Sequence, residues 1–187
     1  MLQNIGKDFY KGVLMREIII NDNNLTKEDI DMEVIRVKGL ILNSQGKLLI
    51  AHNNNTYQLP GGHVDDNETI DECIVREIKE ETGIDVEITE RPFMSIITYD
   101  NNYFDTGKKV LSSIYYYRFF SDEVPNLEET KYDELELATD FNLFYINFKD
   151  FDSFIQKNIE SGEIDPNIGR ELQHVFHEYN KMFGGEE

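Results

Sequence analysis

The sequence predicts an α/β fold. Short β-forming segments bounded by turn signals recur up to Phe120 and again from Phe141, one strongly capped helix interrupts them, and two helical stretches close the chain. At 187 residues, with 40% hydrophobic and 29% charged residues, the chain has globular composition and enough length to bury a substantial core in one domain.

Taken in order, Arg16-Glu17-Ile18-Ile19-Ile20 reads as a strand, ended by the turn-forming run Asn21-Asp22-Asn23-Asn24. Thr26 to Asp31 reads as one helical turn leading into a strand from Met32 to Leu42. Residues 1–31 are expected to be an N-terminal extension packed on a main domain of residues 32–187. Asn43-Ser44-Gln45-Gly46 is a hairpin turn with Lys47–His52 as the return strand. After a loop tip at Asn53-Asn54-Asn55, the stretch Tyr57-Gln58-Leu59-Pro60 enters Gly61-Gly62, where proline restricts the approach and two glycines let the backbone come close to a ligand. Further strands are predicted at Asp85–Ile88, Phe93–Tyr99, Val110–Phe120 and Phe141–Phe148, and helices at Asp150–Glu160 and Ile168–Phe183. Tyr115, Tyr116 and Tyr117 read as sheet packing. Tyr99, Tyr103 and Phe104, beside the loop marked by Asp100-Asn101-Asn102 and Gly107, are the candidates for stacking on a substrate base.

The most informative segment is the helix predicted over Ile70–Thr82. Thr69 followed three residues on by Glu72 is a capping-box pattern, and Gly83 stands where a left-handed residue would end the helix. Helical spacing puts Ile70, Cys73, Ile74 and Ile78 on one apolar stripe, and Glu77 and Glu81 project into that stripe with Glu80 beside it. Acids at such spacing repel by roughly 0.2–0.5 kcal/mol per exposed pair and by more where water is scarce. A hard divalent cation with oxygen ligands is the simplest partner for them. The competing reading is an ordinary amphipathic helix with crowded acids. Arg76, one turn from both Glu72 and Glu80, can orient a carboxylate through a forked hydrogen bond.

The acidic balance, 37 Asp and Glu against 18 Lys and Arg for a formal charge of −19, opposes non-specific binding to nucleic-acid polymers. A small phosphorylated substrate would need local Lys or Arg and a bridging metal to overcome that field. The single cysteine, Cys73, rules out an internal disulfide and a multi-cysteine zinc site. The N-terminus has no secretory pattern and no apolar run reaches the ~20 residues of a membrane span, so a cytoplasmic location is expected.

The stretch Gly61–Ile84 resembles the Nudix box: a glycine, five residues, a glutamate, seven residues, then R-E-U-x-E-E-x-G-U with U aliphatic. Gly62, Glu68, Arg76, Glu77, Ile78, Glu80, Glu81, Gly83 and Ile84 meet every position of that pattern. The resemblance implies a Nudix-like α/β/α sandwich with a mixed β-sheet between helices. It also implies hydrolysis of the diphosphate linkage in a nucleoside diphosphate derivative, of nucleotide, nucleotide-sugar or ADP-ribose type. In that scheme Glu77, Glu80 and Glu81, with the Gly62 carbonyl, hold Mg²⁺ or Mn²⁺, and Glu68 and Arg76 orient the glutamates. The family often draws a further carboxylate from a late segment, and here Glu134 and Glu136 in the acidic run after Leu127 are the candidates; a solvated acidic loop is the alternative for that run. The general base stays open among Glu80, Glu134 and Glu136. A different class of function, a non-catalytic nucleotide-sensing module on the same fold, is disfavoured by the unbroken box. A small nucleotide-type substrate is the expected partner, and a homodimer is compatible with the sequence.

Overall fold

The computed structural model describes residues 15–53, 56–126, 128, 130 and 141–184. Seven strands form one mixed sheet: β1 Arg16–Ile20, β2 Met32–Leu42, β3 Lys47–Asn53, β4 Thr56–Gln58, β5 Met94–Asp100, β6 Val110–Phe120 and β7 Asn142–Asn147. The order across the sheet is β1-β5-β6-β2-β3-β4, with β7 on the other edge of β3. β1 runs parallel to β5 and β2 parallel to β6, whereas β5 with β6 and β3 with each of its neighbours are antiparallel. Residues 16–20 therefore belong to the sheet as its edge strand.

Helices cover both faces. α1, Ile70–Thr82, packs through Cys73, Ile74 and Ile78 against Val37, Ile41, Leu49 and Tyr117. Burying each of these isoleucines contributes about 1.5–3 kcal/mol. On the opposite face α2, Phe151–Ser161, and α3, Pro166–Phe183, lay Phe151, Ile155, Leu172, Val175 and Tyr179 on Leu40, Leu48, Ile50, Ile114 and Tyr116. This is the α/β/α arrangement with a mixed sheet. Period-two burial along β6 alternates Ser112, Ile114 and Tyr116 toward the α2/α3 face with Tyr115 and Tyr117 toward α1. The tyrosine run is thus sheet packing, with the Tyr116 hydroxyl donating to Glu171 at 2.5 Å and the Tyr117 hydroxyl to Asp71.

One predicted strand is absent. Residues 85–88 form no ladder, and both edges of β5 are taken, by β1 and β6. Val86 and Ile88 pack on the α1 side of the core, so their alternation records one-sided burial and not pairing. The predicted turn at Thr26–Asp31 is a single 3-10 turn over Lys27–Asp29.

The feature that positions the site is a divergence of two strands. β2 and β3 pair only at Leu42 and Leu48 and then splay apart. The chain leaving β4 crosses the gap and lays residues 60–64 along the free edge of β2: Gly39 N–H donates to the Pro60 carbonyl at 2.8 Å, Val37 N–H to Gly62 at 2.9 Å, and Val64 N–H to Ile35 at 3.0 Å. Gly61 and Gly62 are thereby held between the sheet and α1.

Candidate active site

The α1 helix starts as its capping residues dictate. The Thr69 hydroxyl accepts the Glu72 N–H at 3.2 Å while the Glu72 carboxylate accepts the Thr69 N–H at 2.9 Å, and Gly83 closes the helix in the left-handed region at φ 72°. Its last two turns carry the acids to the Gly61-Gly62 crossing. Glu81, only 5% exposed, accepts the Gly61 N–H at 2.8 Å. Glu77 lies against Gly62 so closely that a Cβ there would meet its Oε2 at 2.5 Å, so any side chain at that position would have to displace the Glu77 carboxylate. Gly61 has φ 128°, and a Cβ on it would collide with the Val37 carbonyl.

Arg76 sits at the centre of the acids. Its Nε and Nη2 grip Glu68 at 2.7 and 2.8 Å, its Nη1 donates to Glu77 at 2.8 Å and Glu80 at 3.1 Å, and Nη2 also reaches the His63 carbonyl at 3.2 Å. The forked bond from Arg76 holds the Glu68 carboxyl down at about 2. Glu77 moves the other way: burial raises its pKa above the ordinary carboxylate value despite Arg76 beside it. Cys73 is pushed up to about 12, first by burial and then by Glu68, which makes it a core residue and not a nucleophile.

Two further cations enter from β2. Lys38, 8% exposed, donates to the Gly61 carbonyl and to Gln58 Oε1 at 3.1 Å. Burial lowers its pKa, and the charge of Glu81 is the largest effect opposing that. Arg36 donates to Ser112 Oγ at 3.0 Å, and an isolated bridge pairs it with His63 on the crossing segment. Burial, followed by the charges of Arg36 and Lys38, depresses the His63 pKa.

The residues singled out in the sequence are thus partly brought together. Gly62, Glu68, Arg76, Glu77, Glu80 and Glu81 share one site. The Gly62 carbonyl is engaged by Val37, and the glycine carbonyl facing a cation is that of Gly61. Tyr99 is the penultimate residue of β5, while the Tyr103 and Phe104 rings meet edge to face at 4.4 Å in the β5–β6 loop with Phe104 76% exposed. This loop hangs at the sheet end where β2 begins, since Asp100 pairs with Val110 and Met32 pairs with Val110. At about 3.3 Å per residue that is roughly 13 Å from Arg36 along the strand. Glu134 and Glu136 lie outside the described residues. A cavity of about 260 Å³ opens elsewhere, lined by Glu87, Glu90, Arg118 and Phe120, and none of the box residues borders it.

Sequence reasoning passed over Lys38, Arg36 and the Gly61 carbonyl. A usable signal was present: in Val34-Ile35-Arg36-Val37-Lys38 two cations alternate with apolar residues inside a β-former run, which places both on one face of an interior strand.

The family model of the NUDIX domain matches residues 32–182. The chain belongs to the NUDIX domain family. Among curated relatives, an ADP-ribose pyrophosphatase of Methanocaldococcus jannaschii is 46% identical over 54 residues, which is 27% of this chain and 32% of the relative. An 8-oxo-dGTP diphosphatase of Proteus vulgaris is 32% identical over 68 residues, 33% of this chain and 59% of the relative. The matched stretches thus span from about a third to three-fifths of these Nudix relatives. Among solved structures, the MutT protein of Methanosarcina mazei Go1 superposes with a TM-score of 0.51 at 20% identity, covering 80% of this chain and 96% of that one, a likeness of fold.

Proposed function

We propose that this Nudix chain is a metal-dependent hydrolase that cleaves the diphosphate linkage of a nucleoside diphosphate derivative. The observation that carries the reading is the packing of Glu77 and Glu81 against the Gly61-Gly62 crossing, both desolvated in the manner of ligands and not of a solvated face, with Glu80 joined to Glu77 through Arg76. The pyrophosphatase and diphosphatase named among the relatives support the same bond type.

The donor set consists of carboxylate and carbonyl oxygens, which suits Mg²⁺ or Mn²⁺. Among the described residues no three His, Cys, Asp or Glu side chains converge on one point, because Glu77 and Glu80 turn to the Arg76 Nη1 instead. Both carboxylates meet at that single nitrogen, and Glu77, Glu80 and Glu81, with a carbonyl of the glycine pair, are the residues that would hold the ion. A divalent ion held there supplies neutralisation of the diphosphate charge and a more acidic water.

The chain's own residues do the rest. Glu68 fixes Arg76, and Arg76 fixes the directions of Glu77 and Glu80. Glu80, the most exposed of the three helix acids at 33%, is the described carboxylate best placed to take the proton of an attacking water; Glu134 and Glu136 remain its rivals for that role. Tyr99, Tyr103 and Phe104 form the stacking candidates for the base at the far end of the substrate.

The experiment is incubation with ADP-ribose, deoxynucleoside triphosphates and dinucleoside polyphosphates plus Mg²⁺, with products resolved by chromatography, on wild type and Glu81→Gln. The variant keeps an acceptor for the Gly61 N–H, so it should fold, yet turnover should fall by roughly two orders of magnitude or more. Near-normal turnover in Glu81→Gln removes Glu81 from an essential role. Thermal stabilisation by a nucleotide without any product points instead to the sensing module.

A further inference from the structure

In this chain cations have an excess of acids to choose from, 37 against 18, and several of the described ones pair with them. Arg76 takes Glu68, Glu77 and Glu80, Arg118 takes Glu90 through two bonds, and Lys181 takes Glu178. Arg36 does not. Its one bond among the described residues is to the neutral Ser112 hydroxyl, and its Nε is shielded from solvent with no hydrogen-bond partner among them. A shielded, unbonded guanidinium N–H is costly unless a ligand completes it.

Lys38 behaves alike. It lies two residues along the same strand and hence on the same sheet face, and its ammonium rests on two neutral acceptors, Gln58 and the Gly61 carbonyl. His63 stands across the bridge from Arg36, so its side chain projects to that face too. Three carboxylates lie near enough to offset Lys38, namely Glu81, Glu171 and Glu77, and each also accepts from another donor: Glu81 from the Gly61 N–H, Glu171 from the Tyr116 hydroxyl and Glu77 from Arg76. Like charges have been set side by side, as the acids are on α1, and an anion is the complementary occupant.

The two clusters touch through one residue. Gly61 accepts from Lys38 with its carbonyl and donates to Glu81 with its N–H. A diphosphate has the matching layout, two anionic groups one bridging oxygen apart. We propose that Arg36 is the phosphate-binding arm of this active site, gripping the phosphate that is not attacked, with Lys38 as a positioning residue that fixes the Gly61 carbonyl between that phosphate and the box glutamates. The identity of the anion as a substrate diphosphate rests on the hydrolase reading; the existence of the anion site does not.

The test uses the full chain and inorganic pyrophosphate as probe, titrated calorimetrically at low ionic strength with and without Mn²⁺. Wild type should bind, more weakly as salt is added, and Arg36→Met should bind about tenfold more weakly or worse while its Mn²⁺ affinity stays within about twofold of wild type. With a nucleoside diphosphate derivative as substrate, KM should rise by a similar factor and kcat should change less. Pyrophosphate affinity within about twofold of wild type in a folded Arg36→Met, or no binding by wild type under either condition, overturns the proposal. If Arg36→Met does not fold, Arg36→Lys carries the test, because it keeps the charge but lacks the Nε donor; an affinity equal to wild type then overturns it. Absence of product from wild type with any diphosphate substrate would defeat the hydrolase reading alone and leave the pyrophosphate comparison standing.

Discussion

The bond between Arg76 and Glu68 makes a quantitative prediction. Arg76 brings the Glu68 pKa from an ordinary 4.5 to about 2, which corresponds to at most about 3 kcal/mol of stability at neutral pH. The Arg76 side chain is 29% exposed, and contact with solvent screens the pair, so a coupling of about 1–2 kcal/mol is expected. A double-mutant cycle with Glu68→Gln and Arg76→Met, followed by urea denaturation, measures it. Because the folded pKa is depressed, this stability is fully present above about pH 4.5 and is lost as the pH falls toward about 2. At pH 3.5 the coupling should be down by roughly a third to a half. The Arg76→Met single variant should lose more than the coupling, since it also leaves Glu77 and Glu80 facing each other without their shared donor. A coupling below about 0.3 kcal/mol at pH 7, or one that does not change on acidification, refutes the view that Arg76 organises these acids.

Other substitutions probe the remaining parts of the site. Gly61→Ala puts a Cβ on a residue at φ 128° and against the Val37 carbonyl, so urea denaturation should show a loss of about 2 kcal/mol or more; a loss under about 0.5 kcal/mol would mean the crossing segment is not so tightly held. Thr69→Ala removes the acceptor for the Glu72 N–H and should lower stability by about 1 kcal/mol, read from a thermal melt. Cys73, with its thiol pushed up to about 12, should stay unlabelled by a thiol-specific disulfide reagent at pH 8 in the native protein and react on unfolding; rapid native labelling would contradict its burial.

Much of the fold is legible because its signals are local. The α1 bounds follow from Thr69, Glu72 and Gly83, and β2 and β6 from runs of β-formers closed by turns. The strand expected at residues 85–88 fails for a non-local reason: Val86 and Ile88 have the alternation, but it records burial on the α1 side of the core, and both edges of β5 are taken, by β1 and β6. The glutamates are legible from periodicity, whereas the cations opposite them are not, since their role depends on which neighbour the strand meets.

What the chain determined by itself is the helix and the crowding of its acids, because capping bonds and the 3.6-residue repeat act within a few residues of one another. What only the tertiary structure decided is where that charge is aimed. β2 and β3 part after a single pair, residues 60–64 cross to the open edge, Gly61 comes to lie between Glu81 and Lys38, and His63 lies across from Arg36. That meeting depends on backbone hydrogen bonds between segments distant in sequence, and no stretch of residues encodes it alone.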